Sequence, residues 1–170
     1  MLKNIFSIFF ISFLIFINLN KKEVIEIKNN FNNLDSYNKY DYFMKIEIDK
    51  ININRYIYND SRNNIEENIT YHELSSMPNV LNGNLILMAH SGDSVISYFN
   101  KLYLLDKNDV VYIYYNNYKY TYIVENKYEV EKTGMIDIKR KNKNTLTLIT
   151  CIGLDKQLVV ISYLKDKTLI

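Results

Sequence analysis

At 170 residues and 48% hydrophobic content, the chain is long enough for one domain with a substantial core and a short N-terminal extension. Its 21 basic and 19 acidic residues are interleaved and leave a net charge of +2, so no basic stripe indicates a nucleic-acid partner. A single cysteine excludes an internal disulfide and any zinc cluster that depends on cysteine spacing.

The first predicted element is the apolar segment Leu2 to Leu19, flanked by Lys3 on one side and by Lys21 and Lys22 on the other. Its end lacks the small residues that signal peptidase requires, which favours a retained membrane anchor over a cleaved signal peptide. A buried helix of the folded domain is the remaining alternative. Lysines on both sides leave the orientation open. Because N-terminal anchors commonly translocate the domain C-terminal to them, we expect a single-pass cell-membrane protein with its domain on the extracellular face.

The predicted organisation is therefore a membrane segment at 1–20, a polar linker or short helix at 21–42, and a folded domain at 43–170. Within that domain, alternation of apolar and polar residues predicts strands, beginning with Met44–Ile48 and Ile51–Ile57.

A β-hairpin is predicted in the middle of the domain. The runs Val110–Tyr115 and Tyr118–Val124 are rich in aromatic and β-branched residues and flank Asn116 and Asn117. Asparagine tolerates the positive φ angles of a tight hairpin turn.

Helix is sparse in the sequence. Val95–Leu102 carries apolar residues at helical spacing, and Asp93 or Ser94 is placed to cap a helix there. Seven or eight strands, one or two short helices and no alternation of strand with helix predict a mainly β fold, a closed or nearly closed β-barrel.

Two further predicted strands end at residues that carry chemistry. Leu85–Ala89 leads to His90, and Thr145–Thr150 leads to Cys151. The last strand, Gln157–Leu164, comes after a short connection, so we expect it to pair antiparallel with the strand that ends at the cysteine.

A cysteine nucleophile needs a base or a lowered pKa, and donors that stabilise the oxyanion it generates. Cys151 is either such a nucleophile or an inert core residue, since a free cysteine packs as a small hydrophobe. Of the two histidines, His72 lies in a polar stretch and is interpreted as a surface or hydrogen-bonding residue. His90 lies where a buried strand meets a glycine-containing loop, and is either a structural histidine or a base.

The segments Gly83–Ser91 and Thr147–Cys151 resemble the two motifs of the sortase family, Gly-Asn followed by an apolar strand and His-Ser, and Thr-Leu-x-Thr-Cys. The resemblance extends from Met44 to Leu164. It implies a small sortase-like β-barrel whose cysteine cleaves a C-terminal sorting motif, usually LPXTG-like, through a thioester that an amine resolves.

The resemblance also implies roles for residues. Cys151 becomes the nucleophile, and His90 protonates the leaving amine and later deprotonates the incoming one. The acceptor amine in the family belongs to a peptidoglycan precursor or a pilin lysine. We expect no cofactor and no metal, because Glu66–Glu67 and Asp106–Asp109 are interpreted as solvated faces.

One position departs from the family pattern. Sortases carry an arginine at the start of the strand after the cysteine, and Gln157 occupies that position here. Glutamine donates hydrogen bonds but brings no charge. Arg140, in the preceding loop, is an alternative source of positive charge, whereas Lys156 is expected on the opposite face of the strand.

The sequence supports three functional hypotheses. The favoured one is a transpeptidase that uses Cys151, His90 and Gln157. A Cys-His hydrolase, in which water resolves the acyl-enzyme, is a second. The missing arginine motivates the third, a sortase-like barrel that binds sorting signals without turnover.

Overall fold

Eight β-strands account for most of the regular structure in the computed structural model, which describes residues 42–132, 136 and 142–170. The strands are β1 (Met44–Ile48), β2 (Ile53–Ile57), β3 (Thr70–Tyr71), β4 (Asn84–Met88), β5 (Val110–Tyr115), β6 (Tyr118–Glu131), β7 (Thr145–Ile152) and β8 (Lys156–Leu169), with 3₁₀ helices at Asp49–Ile51 and Leu102–Leu104. The prediction of a mainly β domain with few short helices is confirmed.

All eight strands belong to one sheet in the order β2-β1-β5-β6-β8-β7-β4-β3. Neighbouring strands are antiparallel except β4 and β7, which run parallel. The sheet wraps around the larger of two apolar clusters, so that its end strands β2 and β3 come together. There the Asn68 side-chain amide donates a 2.8 Å hydrogen bond to the carbonyl of Tyr56 in β2. The barrel is thus nearly closed.

Two apolar clusters cover opposite faces of the β4-β7-β8 part of the sheet. The inner core runs through all strands from β1 to β8 except β3, and includes Leu146, Leu148 and Val160. The outer cluster includes, among the described residues, the buried side chains of Ile86, Ile149, Val159 and Ile161. Because side chains alternate along a strand, burial on both faces requires the nearly continuous apolar runs that these three strands contain.

The predicted hairpin is confirmed. β5 and β6 pair antiparallel from Tyr115 opposite Tyr118 to Val110 opposite Ile123. Asn116 and Asn117 join them with φ angles of 50° and 61°, the left-handed values that a two-residue hairpin turn requires.

The predicted start of the second strand needs one adjustment. The second strand begins at Ile53 and not at Ile51, because Ile51 ends a 3₁₀ turn and Asn52 takes a left-handed φ of 56°. This tight connection lets β2 fold back on β1, with Ile48 opposite Ile53.

The predicted helix over Val95–Leu102 is wrong. The segment forms successive turns, in which the amides of Ser97 and Asn100 donate to carbonyls three residues earlier. The amide of Phe99 donates instead to the carbonyl of His90, at 3.0 Å. Phe99 and Leu102 are buried in the inner core, so their three-residue spacing reflects turns that return to the core and not a helix.

The membrane segment predicted at 1–20, and the linker predicted at 21–42 apart from its last residue, lie outside the described residues and remain predictions. Across the described ranges, no helix is both long and apolar enough to cross a membrane.

Candidate active site

The parallel pairing of β4 with β7 brings the ends of the two motif strands together. Met88 lies opposite Ile149, and the amide of Ala89 donates to the carbonyl of Ile149 at 3.3 Å. The buried hydroxyl of Thr150 donates to the carbonyl of Ala89 at 2.8 Å. The backbone that leads into His90 is therefore fixed to β7 on both sides of Ala89.

His90 lies alongside Cys151 when this register is continued by two residues beyond Met88 and Ile149. The next residue maintains the association, since the hydroxyl of Ser91 donates to the carbonyl of Cys151. β7 continues through Ile152, so the cysteine lies within the strand and not just after it. Its thiol is free and partly exposed.

Gln157 lies directly opposite Cys151 in the antiparallel β7–β8 pair. The turn Gly153–Asp155 joins the two strands, and Gly153 has a left-handed φ of 58°. The expected antiparallel pairing is confirmed, and β8 is longer at both ends than Gln157–Leu164. Because cross-strand partners share a face, Cys151 and Gln157 lie on the same side of the sheet.

That side is the outer one. Ile149 in β7 and Val159 in β8 belong to the outer cluster, and each lies two residues from Cys151 and Gln157 respectively. β4 ends at Met88, which packs against the outer cluster, and Ala89 after it is buried in the inner core, so alternation places His90 next on the outer side. Two strands and the residues that follow β4 thus direct an amide, a thiol and an imidazole toward one face, next to an apolar surface.

A groove of about 300 Å³ lies on this surface. Its lining is mainly apolar and consists of His72, Leu74, Ile86, Met88, Ile136, Ile149 and Gln157. The amide of Leu74 donates to Nδ1 of His72 at 3.1 Å. The sequence interpretation of His72 as a hydrogen-bonding residue missed its place in the groove.

His90 has an acidic neighbour that the sequence pattern placed on a solvated face. Oε1 of Glu66 lies 3.3 Å from Nε2 of His90. Glu66 is exposed, but its contact crosses from the loop before β3 to the end of β4. No local pattern signals such a contact.

The other charged residues considered in the sequence analysis are described by the contacts that they make. Lys156, at the start of β8, donates to Glu129 at 3.2 Å. Asp106 and Asp109 form ion pairs with Lys50, and Asp106 also pairs with Lys127. Arg140 lies outside the described residues. Among the residues that are described, no group of three or more His, Cys, Asp or Glu side chains is placed to hold a metal ion.

The family model of the sortase domain matches residues 46–165, which include all eight strands except parts of β1 and β8. The chain belongs to the sortase family. Membership makes it a transpeptidase-type protein in general terms and agrees with the resemblance carried by the two motifs. Comparison of this sortase with curated proteins gave no match.

Solved sortase structures share its fold. Sortase C-1 from Actinomyces oris is 24% identical, with a TM-score of 0.68 and coverage of 79% of this chain and 80% of that one. Sortase C1 from Streptococcus agalactiae is 28% identical, with a TM-score of 0.67 and coverage of 76% and 70%. Sortase C from Streptococcus pneumoniae, described in connection with pilin substrate specificity, is 20% identical, with a TM-score of 0.68 and coverage of 77% and 73%.

Proposed function

We propose that this sortase is a cysteine transpeptidase that uses Cys151, His90 and Gln157. The observation that carries the proposal is the strand register, in which Cys151 lies between the continuation of β4 at His90 and its β8 partner Gln157. A nucleophile, a proton carrier and a hydrogen-bond donor on one face are the groups that acyl transfer requires.

The proposed reaction has two steps. Sγ of Cys151 attacks the carbonyl carbon of the scissile peptide, the carbon–nitrogen bond breaks, and His90 gives a proton to the departing amine. An incoming amine then attacks the thioester, His90 takes its proton, and the Cys151 thiolate leaves. Gln157 donates from its side-chain amide to the carbonyl oxygen as negative charge develops there.

We propose that the groove binds the C-terminal sorting motif of a surface protein, of LPXTG-like type. Its lining by Leu74, Met88 and Ile149 suits an apolar segment of extended peptide. Gln157 lines the same groove, so bound peptide would continue toward Cys151. The acceptor amine would come from a peptidoglycan precursor or a pilin lysine, and the second is consistent with the likeness to sortase C structures.

We also propose that residues 1–20 anchor the protein in the cell membrane as a single-pass segment, with the catalytic domain on the extracellular face. The apolar sequence from Leu2 to Leu19 supports this proposal. Protease treatment of intact cells would remove the domain, and a domain left intact while a known surface protein is cleaved would reject the orientation.

Intact-mass analysis tests the proposed activity. The full-length chain in detergent micelles is incubated with a pool of LPXTG-like peptides, with and without an amine acceptor. We expect an acyl-enzyme and an amine-exchanged product, both absent in the Cys151→Ala variant. A product formed by water at the same rate with and without amine would indicate a hydrolase. A folded protein that binds peptides but forms no adduct would instead be the non-catalytic barrel suggested by the missing arginine.

A further inference from the structure

The contact between Glu66 and His90 joins two loops that are far apart in the sequence. Oε1 of the glutamate lies 3.3 Å from Nε2 of the imidazole. The side chain of His90 is 34% exposed and that of Glu66 is 69% exposed. A pair this exposed contributes little to stability, so its effect depends on whether the carboxylate is held in place.

The turn that carries Glu66 is held by its own hydrogen bonds. Oδ1 of Asn64 accepts from the amide of Glu66 at 3.1 Å, and the carbonyl of Asn64 accepts from the amides of Glu67 and Asn68 at 3.0 Å. Asn68 is buried, and its side-chain amide donates to the carbonyl of Tyr56 in β2. The turn is therefore attached to the barrel two residues after Glu66.

A second attachment connects this turn with the loop after His90. The hydroxyl of Tyr98 donates to the carbonyl of Glu67 at 3.4 Å and accepts from the guanidinium of Arg55 at 2.8 Å. The guanidinium also lies 4.2 Å from the centre of the Tyr98 ring. The next residue, Phe99, donates from its amide to the carbonyl of His90. The backbone segments that carry Glu66 and His90 are thus joined by one connected set of contacts.

We propose that Glu66 is a positioning residue for His90 and that it assigns the proton-exchanging role to Nδ1. A carboxylate can only accept a hydrogen bond, so Nε2 of His90 keeps its proton whether the ring is neutral or charged. The proton that the ring gains and loses is then on Nδ1. This inference about the chemistry rests on the proposed catalytic function of His90, whereas the contact itself does not. Carboxylates that orient a histidine in this way commonly fix its tautomer and ring orientation.

We expect the loss of the Glu66 carboxylate to have a moderate effect on kcat. Replacing Glu66 with alanine removes the acceptor and should lower kcat about three- to tenfold, the range that corresponds to about 0.7–1.4 kcal/mol. KM for the peptide should not change, because Glu66 does not line the groove. Glu66→Gln retains a side-chain acceptor and should recover part of the loss. Glu67→Ala is the matched control, since it removes an equal charge from the adjacent residue but leaves the contact intact.

Nuclear magnetic resonance spectroscopy measures the tautomer of His90 directly. The chain has two histidines, so the imidazole nitrogen signals of the ¹⁵N-labelled full-length protein in detergent can be assigned with the His72→Gln variant. We expect the Nε2-protonated tautomer for His90 in the wild type and in Glu67→Ala. We expect a mixture of both tautomers in Glu66→Ala, with Glu66→Gln closer to the wild type.

The outcomes separate this inference from the proposed function. An Nδ1-protonated His90 in the wild type, or a Glu66→Ala variant with the tautomer and kcat of Glu67→Ala, would overturn the positioning role. A tautomer that responds to Glu66→Ala in a protein that forms no acyl-enzyme would support the contact and reject the transpeptidase. Equal losses of kcat in Glu66→Ala and Glu67→Ala would indicate a general effect of charge and would also overturn the proposal.

Discussion

Gln157 is the direct cross-strand partner of Cys151 in the β7–β8 pair, and both side chains lie on the outer face of the barrel. The three-residue turn from Gly153 to Asp155 fixes this register, because it leaves no freedom to shift one strand against the other. The neutral amide therefore lies at the position where the family pattern has an arginine, beside the proposed nucleophile.

Substitution of Gln157 tests whether this amide stabilises the oxyanion. Loss of one oxyanion donor typically lowers kcat about a hundred- to thousandfold, and a neutral side chain should contribute less, so we expect Gln157→Ala to lower kcat about ten- to hundredfold. Gln157→Arg should raise kcat about three- to tenfold, because hydrogen bonds from a charged donor are stronger. Single-turnover acylation rates would measure both effects.

Lys156→Ala is the control for these variants, since Lys156 contacts Glu129 and not the groove. It should acylate at the wild-type rate. An unchanged rate in Gln157→Ala would show that another group stabilises the oxyanion.

Leu74 tests the substrate groove. Its side chain lines the groove and is 60% exposed in the free protein, so it can be truncated with little effect on stability. If peptide covers it, Leu74→Ala should raise KM about fivefold, the equivalent of about 1 kcal/mol of apolar burial, with kcat nearly unchanged. Steady-state kinetics with one peptide would measure this. Leu81→Ala is the matched control for Leu74→Ala. Leu81 is also exposed and also precedes β4, but it lies outside the groove. Equal KM values for the two variants would place the peptide elsewhere.

Thr150 tests the link between β7 and the segment before His90. Its buried hydroxyl donates to the carbonyl of Ala89. Thr150→Val keeps the shape but removes the donor, so the free energy of unfolding should fall by about 1–3 kcal/mol. Urea unfolding would measure the loss. Thr168→Val, at the exposed end of β8, should change stability by less than about 0.5 kcal/mol. Similar losses in both variants would mean that the Thr150 hydrogen bond has no special importance.

The raised pKa of Tyr114 predicts how the free energy of unfolding responds to alkaline pH. Burial, followed by the charge of Glu47, raises the pKa of Tyr114 from 10.0 to about 12. A raised pKa in the folded state means that this contribution to stability is complete below pH 10 and is lost as the pH rises toward 12. Tyr114→Phe should flatten the decline in stability over this interval, measured by urea unfolding at each pH.

Ultraviolet titration provides the control for this prediction. Subtracting the absorbance titration of Tyr114→Phe from that of the wild type should leave one phenol that titrates at about pH 12. Glu47→Gln should lower that midpoint only in part, since burial is the larger cause. A midpoint near 10 in the wild type would contradict the prediction.

Local patterns in the sequence determined most of the strands and the hairpin. Alternation identified β1, and the Asn116-Asn117 dipeptide identified the β5–β6 turn, because both signals depend on neighbouring residues. The short connection after Cys151 also predicted the antiparallel partner of β7. In Val95–Leu102, however, the apolar spacing of three to four residues fits both a helix and a series of turns, and burial of Phe99 in the core favoured the turns.

The sequence by itself determined the family motifs, with His90 and Cys151 after two predicted strands and Gln157 at the start of the strand that follows the cysteine. Only the tertiary structure decided what surrounds them. Glu66 meets His90, and His72 enters the groove, because the short strand β3 pairs with β4 and brings the residues on either side of β3 next to that strand. Contacts of this kind depend on the register of β3 against β4, which local propensity does not encode.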